Sequence, residues 1–391
     1  MGPITNSLQA AAVAALLSGL AVAAPQSFEA RNSAMGGTGV ASSGYLSAGL
    51  TNPALLTRYD STDDFGILVP ALAGVLADED ELASAIDAFQ NNLDDLQNRT
   101  PTPAELLALS AQILALGDRR LTGSAGFSFA AAIPSEEFGV AIVVTSRLDT
   151  TGFVQIDPTD VTRILANNLT GLRSNGVVLA AAITDVGLAV AHAFDVGVGK
   201  LSVGLTPKLQ RVDTFNYSVN IETFEGGDFT DSGYRNNKVS FNCDAGLAWA
   251  PIDELVIGLV GRNLVATNYD TVVTNGQRFS YNVAPLVTAG AAFTTDLLTL
   301  AADVDLTVIE RFDDRSGLED DSQYLRLGAE LDAWEWAQVR GGFQCDLQST
   351  TPNLFTAGLA VSPFDVVRVD LAGMIGGKGT YGVVLQAAIT L

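Results

Sequence analysis

The sequence predicts an all-β membrane barrel of about fourteen antiparallel strands, and three observations carry that reading. Leu298, Leu300, Ala302, Val304, Leu306 and Val308 share one face of an extended chain, while Thr299, Asp303, Asp305 and Thr307 share the other. This period-two alternation is the signature of a strand with one apolar face, and it recurs along most of the chain. A mean hydropathy of +0.27 accompanies a net charge of −23. An apolar skin in lipid with acidic loops in water accommodates both, the alternative being an acidic secreted β-protein. An export leader opens the chain: Leu8 to Leu20 is apolar but too short to cross a bilayer as a helix.

Ala21-Val22-Ala23 supplies the small residues a signal peptidase accepts, so residues 1–24 are expected to be a signal peptide with Pro25 opening the mature chain. No Lys or Arg precedes Arg31, so the positive charge usual at the start of such leaders is missing. A helical membrane protein is disfavoured, because its best span, Gly176 to Phe194, carries Asp185 in its middle. Direct nucleic-acid binding is excluded by 44 acidic against 21 basic residues.

Along residues 63–391 the alternating segments are Asp63 to Leu72, Leu121 to Ile133, Phe138 to Thr151, Gly176 to Phe194, Lys200 to Tyr217, Lys238 to Ala250 and Leu255 to Ala266. Phe279 to Phe293, Leu297 to Ile309, Gln323 to Leu331, Trp336 to Leu347, Leu354 to Val361, Val366 to Met374 and Thr380 to Leu391 follow. Their connections alternate between short and long, as bacterial barrels require. Pro134-Ser135-Glu136, Pro251-Ile252-Asp253, Thr295-Asp296 and Ser362-Pro363-Phe364-Asp365 are short and rich in turn formers. Ala73 to Arg120, Asp157 to Asn175, Val219 to Asn237 and Glu310 to Ser322 are long and expected outside the cell.

The first long loop, residues 73–120, predicts two helices. One follows the acidic Asp78-Glu79-Asp80-Glu81 with Leu82, Ile86, Phe89, Leu93 and Leu96 at helical spacing. The other, Ala104 to Leu116, starts after Pro101 and Pro103. Such a pair forms either a lid, a partner surface or a packed decoration.

Phe127, Phe129, Ile133, Val140, Ile142, Val144, Tyr281, Val283, Val287, Phe293, Tyr381, Val383, Leu385, Ile389 and Leu391 are expected to meet lipid. Ser124, Ser128, Thr145, Arg147, Asn282, Thr288, Gln386 and Thr390 fall on the opposite face. Tyr281, Phe293 and Tyr381, near strand ends, suit aromatic girdles at the membrane interfaces. Lys208, Asp244, Asp303, Asp305, Arg326, Glu330, Arg340, Asp346, Arg368 and Asp370 are the candidate lumen residues. They either line a substrate path or form a hydrogen-bonded network that closes the lumen.

Cys243 and Cys345 sit on the apolar face of distant strands, predicting two unpaired, lipid-facing thiols and no zinc site. His192, the only histidine, lies near the short-turn end of its strand with no serine placed beside it, so no catalytic residue and no enzyme activity is assigned. Gly36-Gly37-Thr38-Gly39 lacks the Lys of a phosphate loop and serves tight backbone bends instead. Asp313-Asp314 and Glu319-Asp320-Asp321 match no calcium loop and are taken as solvated. Neither a metal nor a cofactor is implied.

Arg31 to Tyr59, with Asn52-Pro53-Ala54 after a Gly-rich stretch, resembles the N-terminal hatch of the FadL/TodX outer-membrane transporters of hydrophobic compounds. Leu325 to Glu330, Val339 to Phe343, Thr356 to Leu359 and Val369 to Ala372 resemble that superfamily's closing strands. Ala34 to Ala41, Asn52 to Leu56, Asp64-Phe65-Gly66 and Gly204 to Gln210 resemble most closely the branch named for the plasmid conjugal-transfer protein TraF. The resemblance implies a bacterial outer-membrane barrel whose residues 25–62 fold into the lumen as a plug, with Gly36, Gly37, Thr38, Gly39, Asn52, Pro53 and Ala54 shaping it. Ending in Leu391 rather than an aromatic departs from the usual barrel-assembly signal. Besides outer-membrane lipid, the implied partners are a small hydrophobic ligand passing the lumen or, alternatively, a conjugation or surface protein bound through the outer loops.

Overall fold

The computed structural model describes residues 28–59, 64–78, 81–135, 137–313, 318, 320–334, 336–362, 366–377 and 380–390. The leader, Pro25, Glu136, Asp314, Glu319, the Pro363-Phe364-Asp365 turn and Leu391 lie outside the described residues.

Sixteen strands follow one another in chain order. They are β1 (Gly66–Ala77), β2 (Arg120–Ile133), β3 (Gly139–Gln155), β4 (Asn175–Asp195), β5 (Lys200–Asn220), β6 (Arg235–Ile252), β7 (Leu255–Arg262) and β8 (Thr267–Asp270). The remainder are β9 (Ser280–Val283), β10 (Leu286–Thr294), β11 (Leu298–Asp305), β12 (Tyr324–Trp334), β13 (Ala337–Asp346), β14 (Leu354–Val361), β15 (Val367–Ile375) and β16 (Thr380–Thr390). All but β8 and β9 close into one antiparallel barrel of 14 strands, sealed where β1 pairs with β16. Closure gives every barrel strand a neighbour on both sides, as a lipid environment requires. No helix among the described residues is long and apolar enough to cross a membrane.

Side-chain alternation divides the wall as the sequence reading expects for most strands. Phe241 is 57% exposed and Leu385 55%, whereas the neighbouring Asn242 and Gln386 are 0% and 2% exposed. The outward band of Ile142, Val186, Leu205, Leu209, Leu327 and Leu359 has no protein to pack against and is the surface that lipid covers. Cys243 and Cys345 lie on this outer side, half-buried and unpaired.

One segment departs from the expected pattern. Phe279 to Phe293 is not a single strand, and Tyr281 and Val283 do not meet lipid: both are buried, at 3% and 4% exposure. Asn263 enters the left-handed region at φ 52°, ending β7 at Arg262 rather than Ala266. The chain then folds β8 and β9 into a separate two-stranded hairpin before rejoining the wall at β10. Pro285, which has no N–H to give a ladder, sits at the break and preserves the alternation on both sides of it. Tyr281 therefore belongs to no aromatic girdle.

The wall is tall on one side and low on the other. The strands β3 to β6 run 17, 21, 21 and 18 residues. The strands β7, β10 and β11 run 8, 9 and 8. About 9–11 residues suffice to cross a bilayer, so the tall strands project beyond it on the long-loop side, the outer side by the usual barrel convention. The outer face of β3 is covered there by α3 (Leu82–Gln97), α4 (Pro103–Leu116) and α5 (Pro158–Leu165), which follow α1 (Ala30–Ala34) and α2 (Tyr45–Thr51) in the chain, and those of β4 and β5 by Phe224, Phe229 and Tyr234 of the loop after β5. Leu82, Ile86, Phe89, Leu93 and Leu96 of α3 pack with Leu109 and Ile113 of α4, Ile164 of α5 and Val154 of β3. Thr102 and Glu105 form a reciprocal capping box at the start of α4. The hydrogen bonds from Arg99 and Thr102 hold the exposed Glu105 carboxyl down to about 2.

The outward placement of both cysteines is checked by thiol labelling in intact membranes. A charged, water-restricted maleimide should modify Cys243 and Cys345 only slowly, and rapidly once the barrel is denatured; fast labelling of the folded protein would reverse the assigned faces.

Candidate functional site

Residues 28–59 lie inside the barrel, and the wall is built to let their main chain approach. Ala130, Ala132, Ala141, Ala189, Ala248 and Ala292 face them with minimal side chains. Glycines go further. A Cβ on Gly246 would fall 1.9 Å from Asn52 Oδ1, one on Gly342 2.1 Å from Gly36 N, and one on Gly258 2.3 Å from Val40 O. At Gly342 and Gly258 another backbone already occupies the space, and at Gly246 the hydrogen-bonded Asn52 amide does.

Gly36 and Gly37 adopt φ of 72° and 85°, the left-handed region that favours glycine. The resulting bend presents Gly36 N to Thr356 Oγ1 at 2.9 Å, and the same hydroxyl donates to Ala34 O at 2.7 Å. Thr38, fully buried, donates to Met35 O at 3.0 Å. Gly39 N and Val40 N both donate to Asp303 Oδ2, at 2.7 and 3.0 Å. Asn52 caps the 3-10 turn Pro53–Thr57 by accepting from Ala54 N at 3.1 Å. Its amide nitrogen reaches Val40 O at 2.8 Å and Leu247 O at 3.0 Å, tying two parts of the segment to β6. Pro53 and Ala54 rest on Gly204, whose Cβ would meet Ala54 N at 2.4 Å.

Eight of the ten candidate lumen residues fall into three groups. Lys208 bridges Asp185 at 3.0 Å and Asp244 at 2.9 Å across β4, β5 and β6. Arg326 holds Asp305 with two bonds of 2.8 and 3.0 Å, and Asp305 also accepts from Thr288 and from Tyr324 N. The third group is a ladder, Arg31 to Glu330 to Arg340 to Asp370 to Arg368, in which Arg31 of α1 reaches Glu330 at 2.6 Å. Arg31 also donates to Ser42 O at 2.6 Å, so one guanidinium joins wall, helix and loop. Burial of so many charges is tolerable because each is met by an opposite charge or by backbone donors.

Asp346, though inward and buried, joins none of these groups. Its carboxylate accepts from Gln323 N, Gln348 N, Thr350 N and Thr351 N, organising the loop after β13. Arg31, Asp185 and Arg262 take part without having been candidates. Arg262 donates to Thr51 O at 2.9 Å. Asp185 carried a visible signal, a lone acid amid apolar residues, whereas nothing local marks Arg31 or Arg262. His192 sits on the outward face at the short-turn rim between Phe138 and Phe194, with ring centroids 5.2 and 4.4 Å away, and bonds Glu137 O.

Above the segment, the β8–β9 hairpin lies in the mouth, with Tyr269 paired to Tyr281. Phe312 bridges to Tyr281 and adds a third lane. This sheet packs Tyr269, Phe279, Tyr281, Val283 and Phe312 against Phe153, Val177, Leu179 and Val212 on the inner face of β3 to β5. At the buried edge, Tyr281 Oη donates to Asp149 Oδ2 at 3.0 Å, beside Arg147 at 2.8 Å and Arg311 at 3.8 Å. Burial first, then the Asp149 charge, pushes the Tyr281 hydroxyl well above its usual range, so it remains a donor. Asp320 accepts from Arg311 N and Phe312 N, so it organises this loop rather than standing free in solvent.

A Gly246→Val variant tests the fit between wall and segment. Overpacking of this kind costs about 1–3 kcal/mol. The cost should fall on the segment, so protease cleavage within 28–59 should rise at least several-fold while the barrel keeps its heat-modifiable migration on gels. Arg340→Ala should be harsher, about 3–5 kcal/mol, because it leaves Glu330 and Asp370 short of a partner, and is read as a lowered thermal transition.

Comparison with known proteins bears on the whole architecture. The family model described as F plasmid transfer operon, TraF, protein matches residues 49–305. No curated protein sequence matches the chain. Among solved structures, the Ralstonia pickettii toluene transporter TbuX superposes with a TM-score of 0.56 at 13% identity, covering 94% of this chain and 98% of its own. A Pseudomonas aeruginosa FadL homologue gives 0.53 at 11%, covering 95% and 99%, and the Pseudomonas putida toluene transporter TodX gives 0.50 at 10%, covering 95% and 98%. At these identities the likeness is one of fold, that of the FadL/TodX hydrophobic-compound channels. Closed strands, an apolar outer band and this fold make the protein a barrel of the bacterial outer membrane. With more than half its length matched, the chain belongs to the family of the F plasmid transfer operon TraF protein.

Proposed function

We propose that the protein is a gated outer-membrane channel that binds and passes small hydrophobic molecules, with residues 25–62 as its plug. The observation that carries this reading is a lumen occupied at two levels by elements held with different chemistry. In the mouth the hairpin is held by apolar contacts around Phe153, Val177, Leu179 and Val212, and in the interior a folded segment is held by polar contacts. An apolar solute is admitted by the first and arrested by the second until the segment shifts. The polar contacts that hold the segment are separable, and include Asp303 on Gly39 and Val40, Thr356 on Ala34 and Gly36, Arg31 on Glu330, and Arg262 on Thr51. Lys208 and Asp244 pair within the wall and support its shape rather than gripping the segment. Structural neighbours described as toluene transporters point to the same class of cargo.

A second reading follows from the family and from one surface. Helix α4 exposes Leu107 at 62% and Leu114 at 51% on the outside of the loop cap. A conjugation or surface protein partner would dock through these loops, and the barrel would then be an anchor.

Uptake separates the two. Cells carrying the wild-type barrel should accumulate radiolabelled toluene several-fold faster than cells without it, and Asp303→Ala should alter that rate. Deleting residues 25–59 should raise single-channel conductance in planar bilayers from near zero to a stable open level. Unchanged uptake and conductance, with plasmid transfer lost on removal of residues 82–116, would favour the anchor.

A further inference from the structure

We propose that the β8–β9 hairpin is a built-in occupant of an apolar binding strip on the inner face of β3 to β5, a subsite for small single-ring hydrophobic molecules, and that Asp149 is the latch that holds the hairpin in it. The ligand class rests on the transport reading above; the latch does not.

The strip exists because the tall strands rise past the low ones. Phe153, Val177, Leu179 and Val212 face inward above the membrane, where an open barrel mouth would wet them. The hairpin leaves the low wall between β7 and β10 and leans across the mouth onto them. The hairpin presents Tyr269, Phe279 and Tyr281 to the strip and the adjoining lane presents Phe312, all at 1–3% exposure, with Tyr281 and Phe312 edge-on at a centroid distance of 5.2 Å. A free ring-shaped solute would fill the same volume and bury the same kind of surface, so replacing protein rings by ligand rings changes the apolar contact little.

The hairpin's attachments differ along its two edges. Toward β5 they are hydrogen bonds to main-chain carbonyls: Thr214 Oγ1 donates to Asp270 O at 3.0 Å, and Asn216 Nδ2 to Val272 O at 3.0 Å and Gln277 O at 3.1 Å. Thr274 Oγ1 and Asn275 Nδ2 donate back to Asn216 O and Ser218 O, and Tyr269 Oη bonds Ser240 Oγ on β6 at 2.5 Å, so this side is the fixed one. Toward β3 the attachment is side-chain only, Tyr281 with Arg311 on the carboxylate of Asp149, which Arg147 on the wall also binds. Releasing that edge lets the rings of β9 and Phe312 move together, because Asn282 N donates to Arg311 O at 2.6 Å and Asp313 N to Ser280 O at 3.1 Å, tying the third lane to β9. The latch is thus one charged acceptor on the wall serving two donors on the moving part, and the carbonyls facing β5 are the hinge.

Labelling of single cysteines in the full-length, detergent-purified barrel tests both halves, in a Cys243→Ala, Cys345→Ala background. A cysteine at Phe279 reports the hairpin, one at Leu179 the strip, and one at Leu109, buried in the outer helical cap, reports general loosening. With no solute added, Asp149→Asn should speed water-soluble maleimide labelling at 279 and at 179 by at least tenfold, Tyr281→Phe by less, and neither should speed it at 109. No acceleration, or an equal one at 109, would overturn the latch. Saturating toluene, with the latch intact, should speed labelling at 279 while leaving 179 protected, because the solute takes the place of the rings. Toluene without effect in a barrel whose latch variants behave as expected would overturn the subsite and leave the latch standing, and the uptake experiment would still decide on transport by itself.

Discussion

Every amide and carbonyl of a segment folded inside a barrel must find a partner on a wall whose own backbone ladder is already complete. Most of the interior follows from this one requirement. Short helices and a 3-10 turn satisfy part of it within residues 28–57; wall side chains satisfy much of the rest. Asp303 takes two amides, Gln386 one, Thr356 an amide and a carbonyl, and Arg262 a carbonyl. Those side chains reach the segment only because glycines and alanines alternate with them around the wall. The high glycine content, 38 residues, is in this sense partly an adaptation to an internal guest rather than to strand geometry.

The same requirement accounts for the charge distribution. A lumen that carried only acids would leave them unmet in a poorly hydrated space, at a cost of several kcal/mol each. The described wall instead sets Lys208 between Asp185 and Asp244, Arg326 on Asp305, and Arg340 between Glu330 and Asp370. The excess negative charge has to reside elsewhere, and exposed loop residues such as Asp94, Asp95 and Asp228 carry part of it. Net charge and lumen charge are therefore separate quantities, and the −23 of the whole chain says little about what the interior admits.

The strands were legible because each obeys a local rule. Phe241 and Asn242, or Leu385 and Gln386, differ by one position and face opposite solvents, which a period of two records directly. Alternation says that one face is apolar but not which partner covers it. Tyr281 and Val283 keep the parity of Val287 across Pro285, yet they serve a hairpin inside the mouth, and only the stop of β7 at Arg262 and the tertiary contact with Leu179 distinguish the two fates. Inward charges were legible as residues but not as pairs, since the ladder from Arg31 to Glu330 spans 299 positions. The Gly-rich N-terminal stretch and Asn52-Pro53-Ala54 announced bends; that Gly246 and Gly342 would receive those bends depends on register, which no local signal encodes.

In the proposed channel, two closures in series behave differently when a solute arrives. At the mouth, ring replaces ring, so apolar burial is nearly conserved and the free-energy difference between closed and occupied states reduces to the contacts at Asp149. At the segment, an apolar solute offers nothing to Asp303, Thr356 or Glu330, and displacing their partners would strand buried acceptors. A hydrophobic molecule can therefore shift the outer equilibrium directly but has no differential affinity with which to open the inner one, and a ligand with no such difference shifts nothing. Passage then requires that the inner closure be moved by something acting on its polar contacts. Those contacts converge on residues 31–52, whose continuation through Pro53–Thr57 and Arg58, bonded to Asp253 O, emerges at the short-turn end of the barrel. The outer closure is suited to respond to cargo, and the inner one to an event on the opposite side of the membrane.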